Sequence, residues 1–166
     1  MKQSVCLLFS LLSVSCIHKS GKELSNTRVE SSDSAIMYCI ADTIVYDVVI
    51  RNTNPYDTWI EKSLGKLKRD QFIDSLFDLV YNFNVKAYDY FSGKELTIKQ
   101  IEALENEDGF DREHIGKIQF TETWFFDKES KTLKKEVISV ALGHELYGDS
   151  GEFRGYQPVF KLYLNP

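Results

Sequence analysis

Two segments with the apolar pattern of β-strands constrain the fold most, because only a short turn separates them. Residues 115–127 carry large apolar side chains at alternating positions, and residues 137–142, inside a second segment at 133–144, are almost entirely apolar. Alternation is typical of a strand with one buried face, and a continuous apolar run is typical of a central strand. Since the turn at 128–131 is short, the two segments predict an antiparallel pair.

A helix with a strong apolar stripe is predicted to cover this pair. Residues 70–84 place apolar side chains at steps of three and four, which is the spacing of one helix face. The stripe consists of Phe72, Ile73, Leu76, Phe77, Val80 and Phe83. Asp74 and Asp78 lie off the stripe, as expected for side chains that face solvent.

Weaker patterns predict the remaining elements. Two further helices are predicted at 58–68 and 97–104, and the second begins with a capping-box pattern at Thr97 and Gln100. Three more strands are predicted at 43–51, 85–91 and 159–164. The length of 166 residues fits one domain. The prediction is a single α+β domain, in which helices pack on one face of a mostly antiparallel sheet of about four to five strands.

The first residues predict export and a lipid anchor. A lysine is followed by an apolar run of about ten residues, which is too short to span a bilayer and has the form of a signal peptide. Residues 12–16, Leu-Ser-Val-Ser-Cys, resemble a bacterial lipobox, in which the cysteine is acylated. We therefore predict a signal peptide at 1–15, acylation of Cys16, a flexible tether at 16–36 and a folded domain at 37–166.

The anchor predicts a location. An acylated cysteine implies a bacterial envelope protein, and the lack of an acidic cluster after Cys16 favours a lipoprotein that faces the periplasm, on the outer membrane. The polar segment 16–36 is expected to behave as a flexible linker. The alternative is an ordinary signal peptide that leaves Cys16 as a thiol.

The composition argues against several other functions. Acidic residues number 25 against 20 basic ones, without a basic stripe, so neither nucleic acid nor anionic lipid headgroups are expected as ligands. The cysteines are Cys6, Cys16 and Cys39, and no disulfide framework is expected once the first is removed and the second is acylated. No cysteine and histidine spacing fits a zinc site, and we expect neither a metal nor a cofactor.

Two motifs that suggest catalysis are incomplete. Residues 144–148, His-Glu-Leu-Tyr-Gly, begin like a zinc-protease helix but end in glycine where the second histidine is needed. Residues 148–151, Gly-Asp-Ser-Gly, match the tetrapeptide around the nucleophile of trypsin-like proteases, yet the chain is too short for that fold and the motif suits a turn. A small hydrolase that uses His144, Asp149 and Ser150 is the least favoured alternative.

An aromatic segment in the second half carries a family resemblance. Residues 123–130, Thr-Trp-Phe-Phe-Asp-Lys-Glu-Ser, resemble the aromatic–aspartate–lysine–glutamate stretch of the GldN/PorN family, which belongs to the type IX secretion and gliding-motility apparatus of Bacteroidota. Other pieces resemble the same family in the same order, at 75–80, 87–89, 96–97 and 157–166. Members are longer and usually carry an ordinary signal peptide, so this chain resembles a short, tethered relative over roughly residues 70–166.

The resemblance implies a non-enzymatic role. Such subunits are periplasmic and assemble with a lipoprotein into large rings under the outer membrane, which predicts protein subunits of an envelope complex as partners. The membrane would then be contacted through the lipid anchor alone. An independent periplasmic binding or inhibitory lipoprotein is the main alternative.

The same aromatic segment supplies the predicted site. We expect Trp124, Phe125, Phe126, Asp127 and Lys128 to serve the fold or an interface, since aromatic side chains dominate interface energetics. Asp127 is expected to accept backbone hydrogen bonds in the turn. A register shift of one residue exchanges the two faces of a strand, so the exposed member of the Trp124–Phe125 pair stays open. An exposed last strand would allow a partner strand to extend the sheet.

Overall fold

The computed structural model of the protein describes residues 28–30 and 36–164. The strands among these residues are β1 (Arg28–Glu30), β2 (Ile36–Val49), β3 (Ala87–Tyr88), β4 (Glu95–Leu96), β5 (Ile115–Asp127), β6 (Thr132–Tyr147) and β7 (Phe153–Tyr163). The helices are α1 (Thr58–Leu64), α2 (Arg69–Asn82) and α3 (Ile98–Glu105), and a 3₁₀ turn spans Arg112–His114. None of the described helices has the length and apolarity needed to cross a membrane.

All seven described strands form one antiparallel sheet, in the order β1-β2-β5-β6-β7-β3-β4. The predicted α+β class, antiparallel sheet and single domain are confirmed. The sheet has more strands than predicted, because the short strands β1 and β4 extend its two ends. β1 falls inside the predicted tether 16–36, so the sheet begins before the predicted boundary at residue 37.

The predicted hairpin of β5 and β6 forms the middle of the sheet. Its pairing runs from Ile115 opposite His144 to Asp127 opposite Thr132. β2 pairs with the other edge of β5 over residues 37–49, so that β5 has a neighbour on both sides. The three strands therefore form one long ladder.

The boundaries of three long strands, β2, β6 and β7, differ from the prediction. β2 begins at Ile36, whereas the prediction placed its start at residue 43. The earlier part of the strand has no regular alternation of apolar residues, because register shifts interrupt its pairing around Ala41. β6 extends to Tyr147 and β7 begins at Phe153, so both strands are longer than predicted and the tetrapeptide 148–151 lies in the turn that joins them. In that turn Gly148 N–H donates to the carbonyl oxygen of Glu152 at 2.9 Å.

The end of α2 also differs from the prediction. Phe83 was expected on the buried stripe, but α2 ends at Asn82 and Phe83 is 71% exposed. Asn84 has a φ of 56°, a left-handed conformation that asparagine tolerates and that ends the helix. The predicted strand 85–91 shrinks to β3 because Asp89 accepts a hydrogen bond from the N–H of Ser92 at 2.7 Å and closes a turn.

The core lies between α2, α3 and one face of the sheet. Phe77 of α2 packs edge-on against Phe160 of β7, with 5.0 Å between ring centroids. Ile101 of α3 is fully buried, and the predicted capping box at the start of α3 is present. The sheet contributes Ile115, Ile118, Val140, Leu142, Phe160 and Leu162.

The helix layer covers only part of the central ladder. The core ends at Val48, Phe120 and Val137, which are half-buried against it. We call residues 37–46, 121–127 and 132–136 the distal arm, and none of them belongs to this core. The side of the arm that continues the core face is the helix-facing side, and the opposite side is the outer side.

A buried carboxylate requires a glycine at the start of β5. The Glu145 side chain is almost fully buried, accepts a hydrogen bond from Tyr147 Oη at 2.6 Å and forms an ion pair with Arg51. Gly116 lies at a register shift in the β5–β6 pairing. A Cβ at Gly116 would lie 2.9 Å from Cγ and Cδ of Glu145 and closer still to Oε1. Any larger residue would therefore displace the carboxylate.

We predict that Gly116→Ala lowers the free energy of unfolding by about 1–3 kcal/mol, because the added methyl group forces Glu145 away from Arg51. Gly65→Ala is the matched control, since its Cβ would meet only ordinary contacts at 3.5 and 3.6 Å. The control should change stability by less than about 1 kcal/mol. Urea denaturation measures both, and equal losses would contradict the argument.

Candidate functional site

Trp124, Phe125 and Phe126, the predicted interface residues, lie in β5 on the distal arm. Alternate residues of a strand share a face, so Trp124 and Phe126 project from the side that holds the core residue Ile118. Phe125 projects from the outer side, opposite Cys39 of β2. All three are partly exposed, so neither side of the arm buries them as a core would.

A buried carboxylate organises the helix-facing side of the arm. Glu122 is 4% exposed, and its two oxygens accept hydrogen bonds from Tyr46 Oη and Trp124 Nε1, each at 2.8 Å. The ammonium group of Lys135 lies 4.0 Å from Glu122 Oε2 and 4.1 Å from the centroid of the Trp124 ring. We call Tyr46, Glu122, Trp124 and Lys135 the Glu122 cluster.

The electrostatics of the Glu122 cluster keep its hydroxyl donor intact. Burial, followed by the hydrogen bond to Glu122, raises the pKa of Tyr46 above its ordinary value. The phenol therefore stays protonated and continues to donate to the carboxylate. Both oxygens of the Glu122 carboxylate therefore have a donor, and the hydrogen bond from Trp124 Nε1 holds the indole in one rotamer.

Apolar side chains continue beyond this cluster to the end of the arm. Tyr38 lies opposite Phe126, and Phe126 lies opposite Leu133, so the three form a row across β2, β5 and β6. Tyr38 and Leu133 are 45% and 47% exposed. We call Tyr38, Trp124, Phe126 and Leu133 the arm patch. Lys128 lies at the border of the arm patch, where its ammonium group is 5.3 Å from the centroid of the Tyr38 ring.

Asp127 holds the turn at the end of the arm, as predicted. Its Oδ1 accepts a hydrogen bond from the N–H of Glu129 at 3.0 Å, and its Oδ2 accepts one from Ser130 Oγ at 2.5 Å. These two bonds, the one from Ser130 first, hold the pKa of Asp127 below its ordinary value. The residue has a structural role beside the arm patch.

The residues of the hydrolase alternative have other partners. Ser150 Oγ donates a hydrogen bond to a carboxylate oxygen of Glu152, and Asp149 is exposed beside it in the β6–β7 turn. His144 Nε2 accepts a hydrogen bond from the N–H of Asp111 at 3.3 Å. No hydrogen bond joins Ser150 to His144 among the described residues, so His144 is not placed to act as the base for this serine.

His144 serves the packing of a loop. Its ring stacks on Phe110, with 5.0 Å between centroids, and lies 5.8 Å from the ring of His114. Burial, and then the nearby His114, lower the pKa of His144. Neutral His144 is the form that accepts the N–H of Asp111, so the loop before β5 is docked by an unprotonated ring.

Two ionic contacts were missed by the sequence patterns. Arg51 and Glu145 are 94 positions apart, and Glu145 was considered only as part of a zinc motif. Glu122 and Lys135 are likewise brought together only by the β5–β6 register. The sole local signal for Glu122 is a carboxylate inside an alternating strand. This signal does not identify a buried residue, because a solvent-facing glutamate has the same pattern.

An open pocket of about 530 Å³ lies between the end of β2, α1 and the start of α2. Arg51, Lys68 and Arg69 line it together with Glu61 and Asp70. Arg69 already forms an ion pair with Asp70 at 2.5 Å and donates to backbone carbonyl oxygens just before and at the start of β5. With cations and carboxylates this closely balanced, the pocket has no clear preference for a charged ligand.

Two further parts of the prediction concern metals and the anchor. Within residues 28–30 and 36–164, no group of three or more histidine, cysteine, aspartate or glutamate side chains is placed to hold a metal ion. Cys16 and the signal peptide at 1–15 lie outside the described residues, as does most of the tether. The lipid anchor therefore stays a prediction. Cys39 is a half-buried free thiol in β2.

We predict that Tyr46→Phe lowers the free energy of unfolding by about 1–3 kcal/mol, because one oxygen of the buried Glu122 loses its donor. The control is Tyr56→Phe, since Tyr56 is 91% exposed and its change should stay below about 0.5 kcal/mol. Urea denaturation at neutral pH measures both variants. An unaltered Tyr46→Phe protein would contradict the role of the cluster.

We also predict that stability falls as the pH drops from about 7.5 to 5.5. The pKa of His144 is lowered by folding, so the unfolded chain binds a proton first and protonation favours unfolding. His144→Phe keeps a ring against Phe110 but does not titrate, and its stability should depend less on pH over this range. Urea midpoints at several pH values measure this, and identical slopes for both proteins would contradict it.

Comparison with known proteins leaves the family open. No protein-family model matches the sequence, and no curated protein matches it significantly. The resemblance of residues 123–130 to the GldN/PorN family therefore stays a prediction.

Proposed function

We propose that this chain is a non-enzymatic, lipid-anchored protein of the bacterial envelope that binds a partner protein through the arm patch. The observation that supports the proposal is that the arm patch continues the core face beyond the helices that cover it. A strand face that meets water is normally lined by polar residues. Here Tyr38 and Leu133 are nearly half exposed and lie beside Phe126.

The charges at the border of the patch suggest what the partner offers. Lys128 lies against the ring of Tyr38, and Lys135 lies against the ring of Trp124. An interface of this kind has an apolar centre and a polar rim. We therefore expect apolar side chains in the partner at the level of Phe126 and Leu133, with acidic groups around them.

The Glu122 cluster makes the patch suitable for binding. Its hydrogen bond to the Trp124 indole and the contact with Lys135 hold the indole in one orientation. A side chain that is already ordered loses less conformational entropy when a partner binds. Tryptophan and tyrosine are also the side chains that most often dominate binding free energy.

The identity of the partner is proposed from the sequence. Residues 123–130 include Trp124 and Phe126 of the arm patch and resemble the GldN/PorN family, so we propose a subunit of the type IX secretion or gliding machinery as the partner. An independent periplasmic binding or inhibitory lipoprotein would use the same patch on another target. The protein captured at the patch distinguishes the two.

In-cell photo-crosslinking tests the proposal. A photoreactive amino acid at Leu133 should form an adduct with an envelope protein, whereas one at Tyr56, which is exposed outside the arm, should not. With the photoreactive group at Tyr38, Leu133→Glu should reduce the adduct at least about tenfold, because a buried charge opposes an apolar contact. Circular dichroism confirms that the variant folds.

Several outcomes of this experiment would decide against parts of the proposal. Equal adducts at Leu133 and Tyr56, or an unchanged yield with Leu133→Glu, would exclude the arm patch as the binding surface. A patch-dependent adduct with a protein outside the secretion apparatus would favour the independent lipoprotein. Cys16→Ala should release the protein into the detergent-free fraction, and a variant that still requires detergent would exclude the lipid anchor.

A further inference from the structure

Within residues 28–30 and 36–164, the edge of β2 that faces away from β5 has few strand partners. β5 pairs with one edge of β2 over residues 37–49, whereas β1 pairs with the other edge only over 36–38. In the part of the chain that the structure describes, no strand pairs with this outer edge from 39 to 49. The backbone N–H and C=O groups of an open edge are a template for another strand.

The second half of this edge has the properties of a strand acceptor. Register shifts interrupt the pairing with β5 before Ile44, and the pairing from Ile44 to Val49 is regular. A regular stretch of this size matches the usual strand length of about five to six residues. Val45 and Val49 are 53% and 40% exposed, so β-branched side chains flank the edge without being covered.

Among the described strands, β7 also has a partly open edge, but its sequence makes that edge a poor acceptor for another strand. β3 covers the outer edge of β7 only at Lys161 and Leu162. The remainder of β7 contains Pro158, which has no N–H to donate, and Gly155, whose φ of 146° departs from a regular strand. Residues 36–49 contain neither proline nor glycine. A partner strand is therefore expected at β2 rather than at the last strand.

We propose that residues 44–49 of β2 accept an extended segment of the partner protein as an additional strand. This inference rests on the proposed function, since it gives the form in which the partner protein binds. Backbone hydrogen bonds would supply the affinity, and alternate side chains would supply the specificity. The open edge and the arm patch both belong to the β2–β5–β6 ladder, so one partner is able to contact both.

The side chains along the edge define the chemistry of the segment. On the helix-facing side the segment meets Ile44, Tyr46 and Val48, which pair best with β-branched or aromatic residues. On the outer side it meets Val45 and Val49 with Asp47 between them, and the Asp47 side chain is 43% exposed although it pairs with Lys117. We expect an alternating apolar segment with lysine or arginine opposite Asp47.

A second copy of this chain is a poorer occupant of the edge. If residues 44–49 paired with themselves across a two-fold axis centred on Asp47, the two Asp47 carboxylates would lie opposite each other, and if the axis were centred on Tyr46, each carboxylate would lie opposite the apolar Val45. Like charges that face each other across strands are destabilising. A basic segment from a different protein avoids this repulsion, and its positive charge is attracted to the Asp47 carboxylate.

Hydrogen exchange with a synthetic strand tests the proposal. The probe is an eight-residue peptide that alternates valine with threonine and carries two lysines. Added to the full chain, it should slow amide exchange within residues 44–49 at least about tenfold. The control is the same peptide with alternate amide nitrogens methylated, which keeps every side chain but cannot donate along one edge. It should give no such protection.

Each other result decides against the inference. Outward amides of residues 44–49 that are already protected in the free chain would show that its own residues cover the edge. Equal protection by both peptides, or by neither, would exclude a backbone ladder. Leu133→Glu, which tests the arm patch, should leave peptide protection unchanged, and its loss would assign the peptide to the patch. The two proposals therefore fail separately.

Discussion

The structure depends on one long antiparallel ladder, formed by β2, β5 and β6. The helices cover only about half of its length, so its two halves are stabilised in different ways. Near Ile118 and Leu142 the ladder packs against α2 and α3, and burial of apolar surface stabilises it. Beyond Phe120 the described strands contribute no residue to the core beneath the helices, so hydrogen bonds and cross-strand contacts contribute more of the stability there. The Glu122 cluster is the centre of these contacts.

The two halves of the ladder therefore solve the same problem differently. In the covered half, apolar side chains such as Phe77 of α2 and Phe160 of β7 pack against each other and are fully buried. In the distal arm, a buried carboxylate takes donors from a phenol and an indole, and an ammonium group lies beside them. This polar centre lets aromatic side chains stand at a surface in a defined orientation, which a loosely packed apolar patch would not do.

The sequence predicts the fold class because its strongest patterns coincide with the packed half. The stripe of α2 faces the core, and so do alternate members of the apolar run in β6, such as Val140 and Leu142, so periodicity and burial agree there. The patterns fail where local geometry departs from regularity, as in the first half of β2 with its register shifts. Contacts such as Arg51 with Glu145 depend on distant parts of the chain, and no local pattern contains them. The predicted site residues 124–128 lie together at the end of β5 and in the turn after it, but their assignment to two faces needed the register.

The turn held by Asp127 has a consequence for the speed of recognition. The Asp127 side chain accepts hydrogen bonds from Glu129 N–H and Ser130 Oγ, and these bonds restrict the conformations open to the tip of the hairpin. A turn that already has its binding conformation does not need to rearrange after a collision, so association would not be slowed by that step. If the proposed partner binds at the arm patch, the hairpin would meet it in one shape, and proteins that do not fit that shape would dissociate.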